Sequence, residues 1–438
     1  MKKLWEKNYD TDQLLEQFTV GQDRELDLFL AKYDVQGSRA HAKMLARIGL
    51  LTPEECEGLL NGLDDIYQMI EAGQFQIDEG IEDVHSQIEF LLTAKLGDVG
   101  KKIHSGRSRN DQVLTAVKLM AKDELLQIAE LVKDLFELLM SHSDQYKEVL
   151  MPGYTHMQVA MPSSFGLWFG AYAESLADDL ILLEAAYRIV DKNPLGSAAG
   201  YGSSFPLDRQ FTSDEMGFGG LNVNVVYAQM TRGKTERTVA TAISAIAATL
   251  SKMAMDVCLY NGQNFGFLKL PDRYTTGSSI MPHKKNPDGF ELVRGKCNQL
   301  QALPVELSYI LNNLPSGYHR DLQTTKEHFV PAYQTLKDCL MMSFQMLKHI
   351  TVNEEIVADT KYDDMFSVER VNELVLQGIP FRDAYKQVGL ELSETTESPD
   401  RTLNHQHVGS LGNLRNDLIR QSFNDTYAFF SKHQEVSQ

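Results

Sequence analysis

The sequence predicts an all-α fold built around five long helices, and three observations carry that prediction. Proline is absent between Pro53 and Pro152, between Pro162 and Pro194, and between Pro206 and Pro271. These gaps can hold long helices, because proline costs about 3 kcal/mol in a helix interior. Apolar residues recur every three or four positions over many turns, as on one face of a helix. No stretch alternates convincingly like a strand; the best candidate, 222–226, is short.

The five long runs follow one another along the chain. The first three consist of Leu114, Val117, Ala121, Leu125, Ile128, Val132, Leu135 and Leu139; of Phe165, Phe169, Tyr172, Leu176, Leu180, Leu183 and Tyr187; and of Val239, Ile243, Ile246, Leu250, Met253 and Val257. A fourth follows Pro287, with a bend predicted at Pro304, and a fifth extends from about 321 to 350. Five sustained apolar faces predict a bundle of near-parallel and antiparallel helices.

Shorter elements flank the bundle, which divides the chain into three predicted domains at 1–105, 106–352 and 353–438. The first domain holds shorter helices. The last begins with a helix that should stop at Gly378, because glycine commonly ends a helix and Pro380 follows it.

The third long run carries small residues on several faces. They are Ala240, Ala242, Ala245, Ala247, Ala248 and Ala254. Small residues allow close approach of neighbouring helices all round, so we expect a helix buried in the core of an oligomer. A helix buried within a monomer is the alternative.

Composition excludes several classes of protein. The net charge of −18 argues against nucleic acid or an anionic membrane as the main partner. The N-terminus has no apolar signal core, and the four cysteines form no CxxC pair. A cytoplasmic protein without a disulfide framework or a metal site is therefore predicted.

The segment 277–287 reads Gly-Ser-Ser-Ile-Met-Pro-His-Lys-Lys-Asn-Pro. It puts two hydroxyls, two ammonium groups and an amide within ten residues, in a glycine-rich loop that precedes a helical run. Lys284 and Lys285 could balance an anion, and Asn286 could orient it. The alternative is a flexible loop with surface lysines.

The segment 104–112 lies directly before the first long helix. Its Arg107, Arg109 and Asn110 could grip a carboxylate, since arginine offers bidentate geometry and a helix N-terminus offers free N–H donors. A capping segment with two solvated arginines is the alternative.

Two further loop segments are dense in polar groups. Thr155 and His156 lie together in a short connection at 153–158, although a lone histidine is more often structural. The segment 315–326 supplies Tyr318, Gln323 and Lys326 as donors for a zwitterionic ligand, or else caps a helix.

The segment 277–287 resembles the GSSxMPxKxN signature of the fumarase/aspartase superfamily of lyases, and every fixed position matches. Segments 104–112 and 153–158 are similar to those that mark the argininosuccinate lyase family within it. The resemblance continues at 34–38, 193–197 and 314–326 and covers about 34 to 385.

The resemblance implies three helical domains, the middle one a five-helix bundle, and a homotetramer with a twenty-helix core. Each active site would combine segments from three subunits. The implied reaction cleaves argininosuccinate reversibly to arginine and fumarate, in arginine biosynthesis, with no metal or organic cofactor.

Carried over by position, Ser278 is the implied base that removes the Cβ proton of the succinyl part. Lys284 and Asn286 would hold the carboxylate whose charge grows, and His156, oriented by Glu291, would serve the leaving nitrogen. Which of Ser278 and His156 takes or gives the proton stays open. The implied substrate-binding residues are Asn110, Thr155, Tyr318, Gln323 and Lys326.

Two departures from the family pattern stand out. The segment 19–23 has an insertion where the family places a substrate-contacting serine, and apolar Val159 and Met161 stand where the family often has Arg and Gln. There are two alternatives. The first is a related lyase that acts on adenylosuccinate, aspartate or malate, and the second is a structural relative without activity. The intact segment 104–112 weighs against the first, and retention of Ser278, Lys284 and His156 weighs against the second.

Overall fold

A computed structural model describes residues 13–394 and 400–437. Helices dominate it, which confirms the all-α prediction. In the described ranges the α-helices are α1 (Gln13–Val20), α2 (Asp23–Leu26), α3 (Ala31–Arg47), α4 (Pro53–Glu71), α5 (Val84–Leu96), α6 (Asp98–Lys102), α7 (Arg109–Gln145), α8 (Phe165–Val190), α9 (Arg209–Glu215), α10 (Val225–Met230), α11 (Lys234–Tyr260), α12 (Asp288–Leu311), α13 (Thr325–Leu347), α14 (Ser367–Leu376), α15 (Phe381–Glu394) and α16 (Asn416–Ser437). Short 3-10 helices span Asp27–Leu30, Asp272–Tyr274, Arg320–Gln323, Ile356–Ala358 and Thr360–Phe366.

The five long helices α7, α8, α11, α12 and α13 coincide with the five predicted runs and share one apolar core. α11 packs against α12 and α8, and α7 packs against α8 and α13. Residues of the predicted apolar faces, such as Leu114, Leu176 and Ile243, are fully buried. α12 continues through Pro304 to Leu311.

Capping side chains fix where the bundle helices begin. Ser108 Oγ accepts the N–H of Asn110 at 3.3 Å, and Asp111 Oδ1 accepts the N–H of Ser108 at 2.9 Å. Ser164 Oγ accepts the N–H of Leu167 at 3.1 Å at the start of α8. These bonds satisfy N–H groups that have no partner within the helix. The segment 104–110 is thereby held at the N-terminal end of α7.

The segment 222–226, the best strand candidate in the sequence, does not form a strand. Asn224 Oδ1 accepts the N–H of Tyr227 and starts helix α10 instead. The strands of the described chain form three antiparallel pairs, β1 (Leu150–Thr155) with β2 (Gln158–Ser164), β3 (Leu268–Lys269) with β6 (Thr351–Val352), and β4 (Thr276–Gly277) with β5 (Lys285–Asn286). Alternation gave no signal because β1 and β2 contain Pro152 and Pro162, and their register shifts after Pro152.

Two smaller cores lie beside the bundle core. One joins α3, α4 and α5 through residues such as Leu45, Leu63 and Ile88, and the other joins α14 and α15. The last helix, α16, packs on α7 and α8, where the Phe423 ring stacks on Phe136 at 3.8 Å between centroids. α16 thus lies on the bundle, although its residues fall in the predicted third domain; the three domain boundaries stay a prediction.

Apolar surface remains outside the bundle core. Among the described helices only α11 is long and apolar enough to cross a membrane by length and composition, and half of its most apolar window is buried within the chain. α11 and the neighbouring bundle helices also expose large apolar side chains: Ile181, Leu182, Met255, Leu292, Val305, Tyr309, Met341 and Met342.

Candidate active site

A polar cleft lies where the N-terminal helices meet the start of α7 and the segment before α13. Five of the predicted substrate-binding residues line it together, although they come from two separate segments: Arg109, Asn110, Tyr318, Gln323 and Lys326. Its cavity volume is about 140 Å³. The other lining residues are Val20, Asp23, Asp27, Glu82, Asp83, His85, Val113, Arg232 and Arg320.

Lys326 lies buried in the cleft wall between two carboxylates. Its Nζ is 2.8 Å from Asp23 Oδ1 and 2.6 Å from Asp27 Oδ1. Burial alone would lower the pKa of Lys326, but the charges of Asp27 and Asp23 outweigh it and raise the pKa. Lys326 therefore stays charged and already has two counter-ions.

Arg109, at the first turn of α7, is held by acidic residues of the N-terminal segment. Its Nη1 is 2.7 Å from Glu82 Oε2 and 3.3 Å from Asp83 Oδ2. Burial acts to raise the pKa of the Asp83 carboxyl, but His85 and Arg109 bring it below its usual value. The arginine is thus oriented along one wall of the cleft, next to Asn110.

The N-terminal segment is tied across the cleft by backbone contacts. The carbonyl oxygen of Thr19 accepts from Arg320 Nη2 at 2.8 Å and from Gln323 Nε2 at 2.8 Å. The segment 19–23, which departs from the family pattern, therefore forms part of the cleft wall.

A buried histidine that sequence reasoning missed also lines the cleft. His85 Nδ1 lies 2.7 Å from Asp34 Oδ1. Burial lowers the pKa of His85, yet the charge and hydrogen bond of Asp34 raise it overall. The sequence did offer one indication of this contact, because Asp34 begins segment 34–38, one of the segments that resemble the family.

Arg107 does not join this group. Its Nη1 donates to Ser38 Oγ at 2.8 Å, and it is not among the residues that line the cleft. The expectation that Arg107 grips a substrate carboxylate therefore has no support from its position in this chain. Arg107 turns inward because it follows Gly106, which has φ +74°, while Arg109 begins the helix.

Thr155 and His156 occupy the tip of the β1–β2 hairpin, where sequence analysis expected a plain connection. Both side chains are exposed. His156 and Met157 have φ of 53° and 60°, as the two central residues of a type I′ turn require. Such angles cost free energy for residues other than glycine, and strain of this kind clusters at functional sites.

Gly153 allows the two hairpin strands to approach closely. A Cβ at this position would lie 2.7 Å from the carbonyl oxygen of Met161. Tyr154, one residue before the tip of the hairpin, packs against Phe265 and Phe267. These contacts fix the strand that leads to His156.

The signature segment 277–287 forms a loop closed by the β4–β5 pair, in which Gly277 opposes Lys285. Ser278 Oγ accepts the N–H of Met281 at 3.1 Å. Lys285 is paired with Asp272, whereas no ion pair is recorded for exposed Lys284 within the described ranges. Lys284 is thus available to an external anion, next to Asn286 at the foot of the loop.

The cleft, the hairpin tip and the signature loop remain three separate groups. Among the residues that the structure describes, no hydrogen bond or ion pair joins His156 to Ser278 or to Glu291, which is exposed on the first turn of α12. Within one chain five of the predicted binding residues line one cleft, whereas His156, Ser278 and Glu291 are not among the residues that line it.

Comparison with known proteins gives a consistent result. A family model described as Lyase matches residues 6–302. A protein of Parabacteroides distasonis named argininosuccinate lyase is 62% identical over 430 residues, which cover 98% of this chain and 96% of that protein. Another of that name, from Thermotoga neapolitana, is 44% identical over 387 residues, covering 88% of this chain and 97% of that protein.

A solved structure shares the fold. An EDDS lyase variant with bound fumarate superposes with a TM-score of 0.78 at 22% identity, covering 98% of this chain and 92% of that chain. At this identity the likeness concerns the fold alone.

Proposed function

Since this chain belongs to the argininosuccinate lyase family and is a carbon–nitrogen lyase, we propose that its cleft, hairpin tip and signature loop together cleave argininosuccinate to arginine and fumarate. The observation that carries the proposal is the cleft, because it gathers Arg109, Asn110, Tyr318, Gln323 and Lys326 from two segments far apart in sequence. Arginine is the end product of the pathway that such a reaction serves.

The chemistry begins with removal of the Cβ proton of the succinyl part. The electrons of that C–H bond form the double bond of fumarate, and those of the C–N bond leave with the guanidino nitrogen of arginine. A carbon acid beside a carboxylate is very weak, so the barrier lies in the extra negative charge that develops. Preorganised positive groups in a site shielded from water stabilise such charge where it forms.

In this proposal Lys284 and Asn286 hold the carboxylate next to the reacting carbon. Ser278 is the base, and His156 with Glu291 serves the leaving nitrogen; either Ser278 or His156 can hold the proton at a given stage. Ser278 is a weak base unless a neighbouring cation lowers its pKa, and exposed Lys284 is the nearest such group in sequence. Thr155 contributes to substrate binding beside His156.

Completion of the site requires other copies of the chain. Support comes from the separation of the three groups, from the exposed hairpin tip and from the large apolar side chains left on the bundle helices. We assign these surfaces to a homotetramer in which α11 lies at the centre. Sites shared between subunits then bring His156 and Ser278 to a cleft of another chain.

The cell compartment belongs to the proposal as well. A cytoplasmic location agrees with the acidic composition and with four free cysteines in the described chain.

The decisive experiment mixes purified protein separately with argininosuccinate, adenylosuccinate, aspartate and malate and follows fumarate by its ultraviolet absorbance. Release from argininosuccinate alone is the expected result. Fumarate from one of the other three, with none from argininosuccinate, would reassign the substrate. No fumarate from any of them would indicate a relative without activity.

A further inference from the structure

The end of the cleft formed by Asp23, Asp27 and Lys326 carries more negative than positive charge. Two carboxylates surround one ammonium group at 2.8 and 2.6 Å. The arginines of the cleft each have a carboxylate nearby. Arg109 pairs with Glu82 and Asp83, and Arg320 Nη2 lies 3.7 Å from Glu82. Arg232 Nε lies 3.0 Å from Glu236. A ligand carboxylate at this end would therefore meet a net negative charge, whereas a cation would be stabilised.

The three side chains differ in how far they reach into the cleft. Asp27 and Lys326 side chains are 1% and 5% exposed, whereas that of Asp23 is 15% exposed. Asp27 uses its other oxygen to accept the N–H of Val84 at 3.3 Å. No hydrogen bond to Asp23 Oδ2 is recorded within 13–394 and 400–437. Asp23 is the member of the group that a ligand can reach.

Electrostatics at Asp23 point in the same direction. Burial raises the pKa of its carboxyl, Lys326 lowers it, Asp27 raises it again and Arg232 lowers it further, yet the pKa lies above its ordinary value. The cations Lys326 and Arg232 therefore do not offset the burial of Asp23 together with the charge of Asp27. A second cation at Asp23 would restore the balance.

The proposed substrate carries two cationic groups. Its guanidino group lies at the bond that breaks and must reach Ser278 and His156, neither of which lines the cleft within one chain. The far end of its arginine portion, which carries an α-ammonium and an α-carboxylate group, is left for the cleft, and of these two groups the ammonium suits the carboxylate of Asp23.

We propose that Asp23 accepts a hydrogen bond from the α-ammonium group of the substrate's arginine portion and determines specificity for that end. Lys326 and Asp27 position the carboxylate of Asp23. The inference rests on the proposed cleavage of argininosuccinate. It gives the segment 19–23 a role in this chain although the family's serine is not found there.

Three ligands that differ by one group test the assignment. They are arginine, deaminoarginine, which lacks the α-ammonium group, and agmatine, which keeps that amine and lacks the carboxylate. Their dissociation constants are measured by calorimetry on the intact oligomer. The variants are Asp23→Asn, Asp23→Glu and, as a matched control, Asp65→Asn at an exposed ion pair with Lys95.

We expect Asp23→Asn to weaken the binding of arginine and of agmatine by about 10- to 100-fold, which is the contribution of a charged hydrogen bond. The dissociation constant of deaminoarginine should change by no more than about twofold. Asp23→Glu should keep the preference for arginine over deaminoarginine, and Asp65→Asn should change nothing. Equal weakening of all three ligands would overturn the proposal and reduce Asp23 to a support of the cleft. Unchanged arginine binding in Asp23→Asn would overturn it as well.

Failure of the proposed function would look different. In that case the unaltered protein would release no fumarate from argininosuccinate and would bind none of the three ligands. Active protein whose arginine affinity is insensitive to Asp23 contradicts only the assignment of Asp23.

Discussion

Lys284 and Lys285 are neighbours in the sequence, yet only one of them has a carboxylate partner. Lys285 pairs with Asp272, whereas Lys284 is exposed and has no recorded ion pair among the described residues. Composition could not separate the two, because the difference depends on Asp272, thirteen residues away. We therefore assign binding of the substrate carboxylate to Lys284.

Replacing each lysine by methionine tests this assignment. Lys284→Met should lower kcat by about 10²- to 10³-fold, as removal of one donor to a developing negative charge does. Lys285→Met, the matched control, removes an exposed ion pair and should cost far less. The readout is fumarate release at saturating argininosuccinate. Equal losses in both variants would contradict the distinction.

Lys118 is a buried lysine on α7 that has no part in the proposed site. Its Nζ donates to Asn222 Oδ1 at 2.7 Å and to the Lys192 carbonyl at 3.1 Å, and its side chain is fully buried. Burial lowers its pKa from 10.5 to about 7, with Glu236 opposing the shift. Folding therefore releases a proton from Lys118 between these two pH values.

The Lys118→Met variant should remove a pH dependence of stability. Above pH 7 the unfolded chain still binds the Lys118 proton and the folded chain does not. Raising the pH thus favours the folded state, by about 1.4 kcal/mol per pH unit up to about pH 10. Denaturant titrations measure the free energy of unfolding of both proteins. The value for the unaltered protein minus that for the variant should rise with pH at this rate. Parallel pH curves would contradict the burial of a neutral lysine.

The β1–β2 hairpin shows how an element can carry a site at the expense of its own stability. Both central residues of its turn have positive φ, and neither is glycine or asparagine. The histidine is the proposed catalytic group, so its strain is retained for function. Met157 has no such role, and its side chain is 66% exposed.

Met157→Gly should stabilise the folded protein by about 0.5–1 kcal/mol, because glycine adopts positive φ without a steric cost. Met161→Gly is the control on strand β2, where glycine should destabilise by a similar amount. Thermal unfolding of the three proteins at one concentration measures both effects. A loss of stability in Met157→Gly would mean that its side chain contacts another subunit.

The whole molecule leaves its proposed catalytic groups apart. The cleft, the hairpin tip and the signature loop lie on different parts of one chain, and apolar residues such as Leu292, Val305 and Tyr309 stay exposed on the bundle. The proposed homotetramer would account for both observations, since it would bury these side chains and complete the sites.

Mixed oligomers test shared sites directly. Ser278→Ala and His156→Ala should each be inactive yet assemble normally, because both side chains lie at surface loops. Co-expression of the two should restore roughly a quarter of the sites if each site takes these residues from different chains. Fumarate release by the purified hybrid is the readout. Hybrids as inactive as the single variants would place both residues in one chain.

Different parts of the molecule were predictable to different degrees. The bundle was predictable because five long runs with a 3/4 spacing, three of them free of proline, must bury their apolar faces against other elements. The signature segment was visible because its residue types lie close together in sequence. The β1–β2 hairpin was not, because its prolines and the positive φ of His156 and Met157 leave no alternating pattern.

By itself, the sequence determined the helical architecture through its apolar spacing. Its resemblance to a lyase family implied the type of reaction and the candidate groups Ser278, Lys284 and His156. Only the tertiary structure decided which charges are free. It paired Lys326 with Asp23 and Asp27, turned Arg107 toward Ser38 and left Lys284 exposed. The reason is physical: burial and the distance between charges decide what a charged side chain can bind, and both arise between residues that the chain brings together only on folding.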